Sequence, residues 1–100
     1  MENDVFDKKI ELSEIEHLKL MEFRRNFLMK YSLIRPVFDM YVDSSDLYII
    51  DSLMDSTEVV DILMLRAKLN QIWFDLISGN EISEKYPNVM EILNFILETF

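Results

Sequence analysis

Apolar residues recur at three- and four-residue spacing along most of this chain, which is the period of an amphipathic helix. The clearest run lies between residues 56 and 78, where one continuous stripe consists of Ile62, Leu65, Leu69, Ile72, Trp73 and Leu76. A second apolar side adjoins it, which leaves only a polar strip through Asp61, Lys68, Gln71 and Asp75. With a cap at Asp55 or Ser56 and an end at Gly79, this pattern predicts a long central helix near residues 56–78.

A first helix is predicted to begin near Ser13. Ser13 and Glu16 fit a capping box, in which each side chain accepts a hydrogen bond from the other residue's amide. Apolar residues lie on two sides of this helix, so neighbours are expected on both. The helix is predicted to run to about Ser32. Pro36 is then expected to end the element, because its ring clashes with a preceding helical turn and it has no amide to donate.

Residues 37–54 allow two interpretations. In the first, a new helix starts at Pro36 and breaks at the sequence DSSD, where Asp43 or Ser44 suits the N-cap of a short helix. In the second, the aromatic and β-branched residues form a hairpin near residues 37–50, with a loop at 43–46. The hairpin would make the fold α+β.

The last predicted helix begins at Pro87, since proline suits the first helical position. One glycine and two prolines among 100 residues are too few for many short strands joined by turns. The fold class is therefore predicted as all-α: a small bundle of four to five helices in a single domain over residues 1–100, with residues 1–8 disordered. Two short elements do not cover two long ones, which predicts a homodimer or a groove for a partner helix.

The net charge of −9 disfavours binding to nucleic acid and to anionic membranes, and it favours a partner protein with a basic surface. The chain has no cysteine, which excludes disulfides and thiolate chemistry. Its N-terminus is charged throughout and lacks the apolar core of a signal peptide, and no apolar run is long enough to span a bilayer. A cytoplasmic protein is the expectation.

The sequence does not fit the common catalytic and metal-binding patterns. The acidic segment, residues 37–61, has seven carboxylates and no lysine or arginine, but it lacks the spacing and the glycine of a calcium loop. Glu14 and His17 have the E-x-x-H spacing of a di-metal site, yet the chain has a single histidine. No nucleophile–base pattern or phosphate-binding glycine loop is present. The sequence predicts neither an enzyme nor a metal or cofactor site.

The acidic segment is instead interpreted as a partner-binding surface that steers a basic protein, with helix capping as the alternative reason for several of its aspartates. The predicted partner-binding residues are Asp39, Tyr41, Asp43, Asp46, Tyr48, Asp51, Asp55 and Met64. Tyr41 and Tyr48 are the expected aromatic anchors, whereas Trp73 fits the core better. Met64 lies near the polar strip of its helix, so an exposed Met64 would mark an interface.

The predicted function is that of a small acidic, regulatory protein-binding module, of the adaptor, inhibitor, immunity-factor or chaperone type. The alternative is an inhibitor that mimics nucleic acid. In that case a row of carboxylates would imitate phosphates and occupy the basic groove of a nucleic-acid-binding protein.

Overall fold

The computed structural model describes residues 13–79 and 81–98, and every regular element within them is a helix. The helices are α1 (Glu14–Tyr41), α2 (Ser44–Leu53), α3 (Val59–Gly79), α4 (Glu81–Lys85) and α5 (Pro87–Leu97). They pack as a compact bundle, which confirms the predicted all-α class. The hairpin alternative is wrong, because its residues lie in α1 and α2. The predicted disorder of residues 1–8 concerns residues outside the described part of the chain.

The start of α1 confirms the predicted capping box. The Ser13 amide donates to Glu16 Oε1 at 3.0 Å, and the Glu16 amide donates to Ser13 Oγ at 3.1 Å. The side facing the bundle is rich in aromatic residues, and Phe23, Phe27 and Phe38 are fully buried there. With 28 residues, α1 is about 42 Å long and is the longest described helix. The long helix predicted to be central is therefore second in length.

Pro36 does not end α1, contrary to the prediction. The helix continues through it to Tyr41. Proline at this position cannot donate to the carbonyl of Ser32, but Ser32 and Pro36 are both exposed, so water can reach that carbonyl. On the opposite side, Ile34 and Phe38 are fully buried in the core. Burial of these two side chains on either side of the proline offsets its cost of about 3 kcal/mol.

The break between α1 and α2 falls at residues 42 and 43, at the start of the DSSD sequence. Asp43 is the N-cap residue of α2, as predicted, although its side chain makes no capping hydrogen bond. Leu47 and Ile50 of α2 are buried. Their three-residue spacing matches a helical period, and this period prevails over the β propensity of the same segment.

α3 lies at the centre of the bundle, where it contacts α1, α2, α4 and α5. It begins at Val59, three residues later than predicted, and ends at Gly79. α1 packs most extensively against α5, while α2 packs mainly against α3. The largest fully buried side chains are Leu20, Phe23, Phe27, Ile34, Phe38, Ile50, Ile62, Leu65, Leu69, Ile82, Leu93 and Ile96. All five helices therefore contribute to one core, and α1 and α3 supply most of its fully buried side chains.

No helix in the described part of the chain has the length and apolar character needed to cross a membrane. The cytoplasmic location stays a prediction.

Candidate protein-binding surface

Two aspartates of the acidic segment are held by one arginine. Arg35 Nε donates to Asp39 Oδ1 at 2.9 Å, and an Arg35 terminal nitrogen donates to Asp51 Oδ1 at 2.8 Å. The hydrogen bond to Asp39, and after it the one to Asp51, are the largest causes that raise the pKa of Arg35. Because Asp39 follows Arg35 by one turn and Asp51 lies on α2, the cluster joins α1 to α2. Asp39 and Asp51 were predicted to bind a partner, but their charges are already balanced in part within the chain.

A third aspartate, Asp46, joins α2 to α3. Its Oδ1 accepts a hydrogen bond from Lys68 Nζ at 3.0 Å, and both side chains are largely buried. Lys68 Nζ also donates to Gln71 Oε1 at 3.0 Å. A partly buried ion pair of this kind resists screening better than an exposed one. Asp46 therefore has a structural role, and it is less available to a partner than predicted.

The loop between α2 and α3 is organised around Ser56. The Ser56 hydroxyl accepts a hydrogen bond from the Glu58 amide at 3.1 Å and donates to Asp61 Oδ2 at 2.7 Å. Its carbonyl accepts from Arg24 Nε of α1 at 2.9 Å. Ser56 thus satisfies groups at the start of α3, in the role that capping predicted for this part of the segment. Asp61 belongs to this loop network.

The remaining predicted carboxylates, Asp43 and Asp55, are exposed. Neither forms a hydrogen bond or ion pair through its side chain within the described residues. The acidic segment is therefore not a uniform row of free charges.

Asp43 lies at a small cleft where the turn between α1 and α2 meets the second half of α3. This acidic cleft has a volume of about 110 Å³ and is lined by Tyr41, Val42, Asp43, Asp46, Ile72, Asp75 and Leu76. Of its three carboxylates, Asp46 is paired with Lys68, whereas Asp43 and Asp75 have no basic partner among the described residues. The cleft therefore keeps two uncompensated negative charges.

Tyr41 is half-buried at this cleft and is held by an aromatic contact. Its ring meets that of Tyr86 edge-on, with centroids 6.0 Å apart and planes at 66°. An edge-on aromatic pair of this kind fixes the ring orientation. Tyr41 was predicted as an exposed anchor, and the structure places it instead as a wall of the acidic cleft.

Sequence analysis missed Asp75 as a site residue. It was identified only as part of the polar strip of α3, and its sequence distance from Asp43 is more than 30 residues. The packing of α2 on α3 brings both aspartates to one cleft. The sequence did contain a signal for this site. The polar strip of α3 that carries Asp75 also carries Lys68, and Lys68 pairs with Asp46 of α2.

Tyr48 and Met64 do not line the acidic cleft. Tyr48 is 74% exposed on the outer face of α2, between Ser45 and Ser52. Met64 is 51% exposed on α3, which agrees with its predicted position near the polar strip. Trp73 is half-buried and packs against the core, as expected. The predicted partner-binding residues thus divide among an arginine cluster, a cleft and three separate exposed side chains, Tyr48, Asp55 and Met64.

A second, larger groove of about 410 Å³ borders the arginine cluster and is lined by Leu28, Tyr31, Ser32, Arg35, Pro36, Asp39 and Met54. The Tyr31 hydroxyl is buried beside it, with no hydrogen-bond partner in the described part of the chain. Burial raises the pKa of Tyr31 to about 12, although the nearby Arg35 opposes the shift. Arg35 lies over the Tyr31 ring at 5.9 Å from its centroid. Tyr31 therefore carries an unsatisfied polar atom within an otherwise apolar stripe.

His17 is exposed in the first turn of α1. Within residues 13–79 and 81–98, no three histidine, aspartate or glutamate side chains are grouped so that they could hold a metal ion.

In comparisons with known proteins, the chain matches no protein-family model, no curated protein and no solved structure.

Proposed function

We propose that this protein is a small acidic protein-binding module that receives a basic side chain of its partner in the acidic cleft. The observation that carries the proposal is the pair of carboxylates, Asp43 and Asp75, that line this cleft without a basic neighbour among the described residues. A lysine or arginine from another protein would supply the missing positive charge. The chemistry of the cleft thus supports a partner with a basic side chain at its surface.

The net charge of −9 acts before contact is made. A surface of this sign attracts a basic protein over a Debye length of roughly 8 Å at physiological salt, which raises the association rate more than the final affinity. Within the cleft, a cation that approaches the face of the Tyr41 ring would be attracted by it at short range. A cation within about 6 Å of an aromatic centroid gains about 0.5–1 kcal/mol at an exposed site.

Tyr48 is proposed as the second contact. An exposed tyrosine supplies a large amphipathic ring, and such rings are enriched among the residues that dominate interface energetics. Tyr48→Ala is therefore expected to weaken the complex about tenfold or more, whereas Asp39 and Asp51, which are held by Arg35, are expected to contribute little.

The test compares two double variants that remove equal charge. Asp43→Asn with Asp75→Asn changes the cleft, and Asp55→Asn with Glu58→Gln changes exposed carboxylates outside it. Binding partners captured from cell extract by the wild-type protein would be measured by titration against all three proteins at two salt concentrations. The cleft variant is expected to lose at least tenfold in affinity, and the control variant much less. Equal losses would show that general charge, and not the cleft, binds the partner.

The alternative function, mimicry of nucleic acid, receives less support from the geometry. Asp39, Asp46 and Asp51 are tied to Arg35 or Lys68, so they do not form a free row that could replace phosphates. The two functions differ in one measurable respect. A mimic would be displaced from its target by the target's own DNA or RNA. A module whose cleft binds a different surface of the partner would not be displaced.

A further inference from the structure

The outward side of α3 carries a strip of apolar and uncharged polar residues, and Asp61, Lys68 and Asp75 lie along one of its borders. Opposite the buried stripe of this helix lie Val60, Met64, Ala67, Gln71, Phe74 and Ser78, all of them exposed. Phe74 is 62% exposed and Met64 is 51% exposed. Half-buried Leu63 and Ile77 border the same side. We call these eight residues, together with Asn70, the uncharged face of α3.

The absence of charge on this face is unusual for this chain, in which 29% of residues are charged. The outer side of α1 provides a comparison. It also has exposed apolar residues, including Leu18, Met29 and Leu33, but Glu22 and Arg25 interrupt them. Two copies of a protein with net charge −9 repel each other, so a contact between copies is least opposed where neither presents a charge. The centre of the uncharged face of α3 meets this condition, while Asp75 and Lys68, which donates to Gln71 Oε1, lie at one border.

The spacing of the six exposed residues is four, three, four, three and four, which is the heptad spacing of a helix that packs along another helix. When two such helices run antiparallel about a twofold axis near Leu69, residue numbers that sum to 138 face each other. Met64 then faces Phe74 of the other copy, and the pair makes a favourable sulfur–aromatic contact. Small Ala67 faces Gln71, and Val60 faces Ser78. The sequence of the face is therefore complementary to itself.

From these observations we infer that a second copy of this chain binds the uncharged face of α3, with the two α3 helices antiparallel. The contact is isologous, because the same residues are used on both sides of a twofold axis. The inference does not rest on the proposed basic partner, although Asp75 of the acidic cleft also lies at a border of this face.

The borders of the face support the antiparallel arrangement and also predict its response to salt. On one border Leu63 approaches Ile77 of the other copy, and the two Asn70 amides meet near the axis. On the other border Asp61 approaches Asp75 of the other copy, and the two Lys68 side chains approach each other near the axis. Because these pairs are of like charge, screening by salt is expected to strengthen self-association. Salt weakens the attraction of the acidic surface for a basic protein, so the two interactions respond in opposite directions.

The size of the face limits the affinity. About ten residues on each copy take part, compared with 20–30 a side in a stable interface of standard size. A dimer with a dissociation constant on the order of 10 μM is therefore expected, and not an obligate one.

Sedimentation equilibrium over protein concentrations from about 1 to about 500 μM tests the inference, because mass action makes the dimer fraction concentration-dependent. Phe74→Glu and Met64→Lys are each expected to weaken self-association at least tenfold. The double variant Met64→Lys with Phe74→Glu is expected to regain it, since the new opposite charges face each other only between antiparallel copies. In a parallel pair each new charge would face its own equivalent, and the double variant would stay monomeric.

Leu33→Glu is the matched control, because Leu33 is 61% exposed on α1 and the change introduces the same charge. It is expected to leave the dissociation constant within about threefold of the wild type, and circular dichroism would show that every variant keeps its helices. A wild-type protein that is monomeric throughout, or a loss in Leu33→Glu equal to that in Phe74→Glu, would overturn the inference. A monomer that still binds a basic partner through the cleft would overturn this inference alone and leave the proposed function standing.

Discussion

Pro36 lies on the solvent side of α1, while the side chains on either side of it, Ile34 and Phe38, are fully buried. Local preference at this residue opposes a helix, because proline removes one backbone hydrogen bond and crowds the preceding turn. Packing on the opposite side favours the helix. The outcome at this position is decided by the core, and the sequence rule for proline is overridden where its missing bond faces water.

Replacing this proline should therefore stabilise the protein. Pro36→Ala restores the amide and removes the steric conflict, and we expect the free energy of unfolding to rise by about 1–3 kcal/mol. Urea denaturation followed by circular dichroism measures the change. Pro87→Ala is the control, because Pro87 occupies the first turn of α5, where proline is well tolerated. A gain at Pro87 as large as that at Pro36 would contradict the explanation.

Tyr31 shows the cost of a hydroxyl in the core. The residue is 3% exposed, and its hydroxyl has no partner among the described residues. Tyr31→Phe removes an unsatisfied polar group while keeping the ring that stacks on Phe27 at a centroid distance of 4.6 Å. We expect the variant to be as stable as the wild type at neutral pH, or more stable by about 1 kcal/mol. A loss above about 1 kcal/mol in urea denaturation would show that the hydroxyl has a partner in solution.

The same tyrosine predicts a pH dependence. In the folded protein the pKa of Tyr31 is raised from 10.0 to about 12, so between these values the unfolded chain loses the proton while the folded chain keeps it. The folded state then binds more protons than the unfolded state, and stability falls as pH rises through this window. Urea denaturation at about pH 9 and pH 11 should show that the free energy of unfolding falls less between these pH values in Tyr31→Phe than in the wild type. Tyr48→Phe, which changes an exposed hydroxyl, should follow the wild type.

At the scale of whole elements, the sequence was most informative where local chemistry and core packing agree. Ser13 and Glu16 predicted the start of α1, and the apolar stripe of residues 62–76 predicted α3. The short helix α4 (Glu81–Lys85) was not predicted, because five residues give too little periodicity to recognise. The acidic cleft was not predicted either. It needs Asp43 and Asp75 on one surface, which follows from how α2 packs on α3 and not from their spacing along the chain.

The end of α3 offers a further prediction. Gly79 is its last helical residue and does not have the left-handed backbone that would require glycine. A Cβ added there meets no atom within 4 Å. Gly79→Ala should therefore stabilise the protein by about 0.5 kcal/mol, because alanine loses less backbone freedom on folding. Urea denaturation measures the gain, and Ser78→Gly, one residue earlier, should have the opposite sign. A loss of stability in Gly79→Ala would indicate a left-handed backbone in solution.

At the scale of the whole molecule, charge works against folding and association alike. The chain has nineteen acidic and ten basic residues, and the ion pairs of Arg35 and Lys68 balance part of the charge of the acidic segment. The charges that remain repel one another across a small surface. Since a compact chain brings these charges closer together than an unfolded one, this repulsion destabilises the folded state. The basic protein proposed as a partner would relieve it.

Added salt should relieve the same repulsion between carboxylates and so stabilise the folded chain. Raising NaCl from about 20 to about 300 mM shortens the Debye length from roughly 20 Å to below 8 Å, so repulsion between distant carboxylates fades while the short Lys68–Asp46 contact is largely retained. We expect the midpoint of thermal unfolding, measured at low protein concentration, to rise by several degrees, on the order of 1 kcal/mol in free energy.

A variant of lower charge separates this repulsion from a general effect of salt on burial. Asp43→Asn with Asp55→Asn removes two exposed charges, which reduces the net charge from −9 to −7, and it should unfold at a higher temperature in low salt and respond less to added NaCl. The unfolding temperatures of the wild type and the variant should converge at high ionic strength, because salt then screens the repulsion that the two substitutions remove. If the wild type instead loses stability as salt is added, the exposed pairs of Arg35 with Asp39 and Asp51 outweigh the repulsion. The acidic surface would then be held together by its own charges and have less to gain from a basic partner.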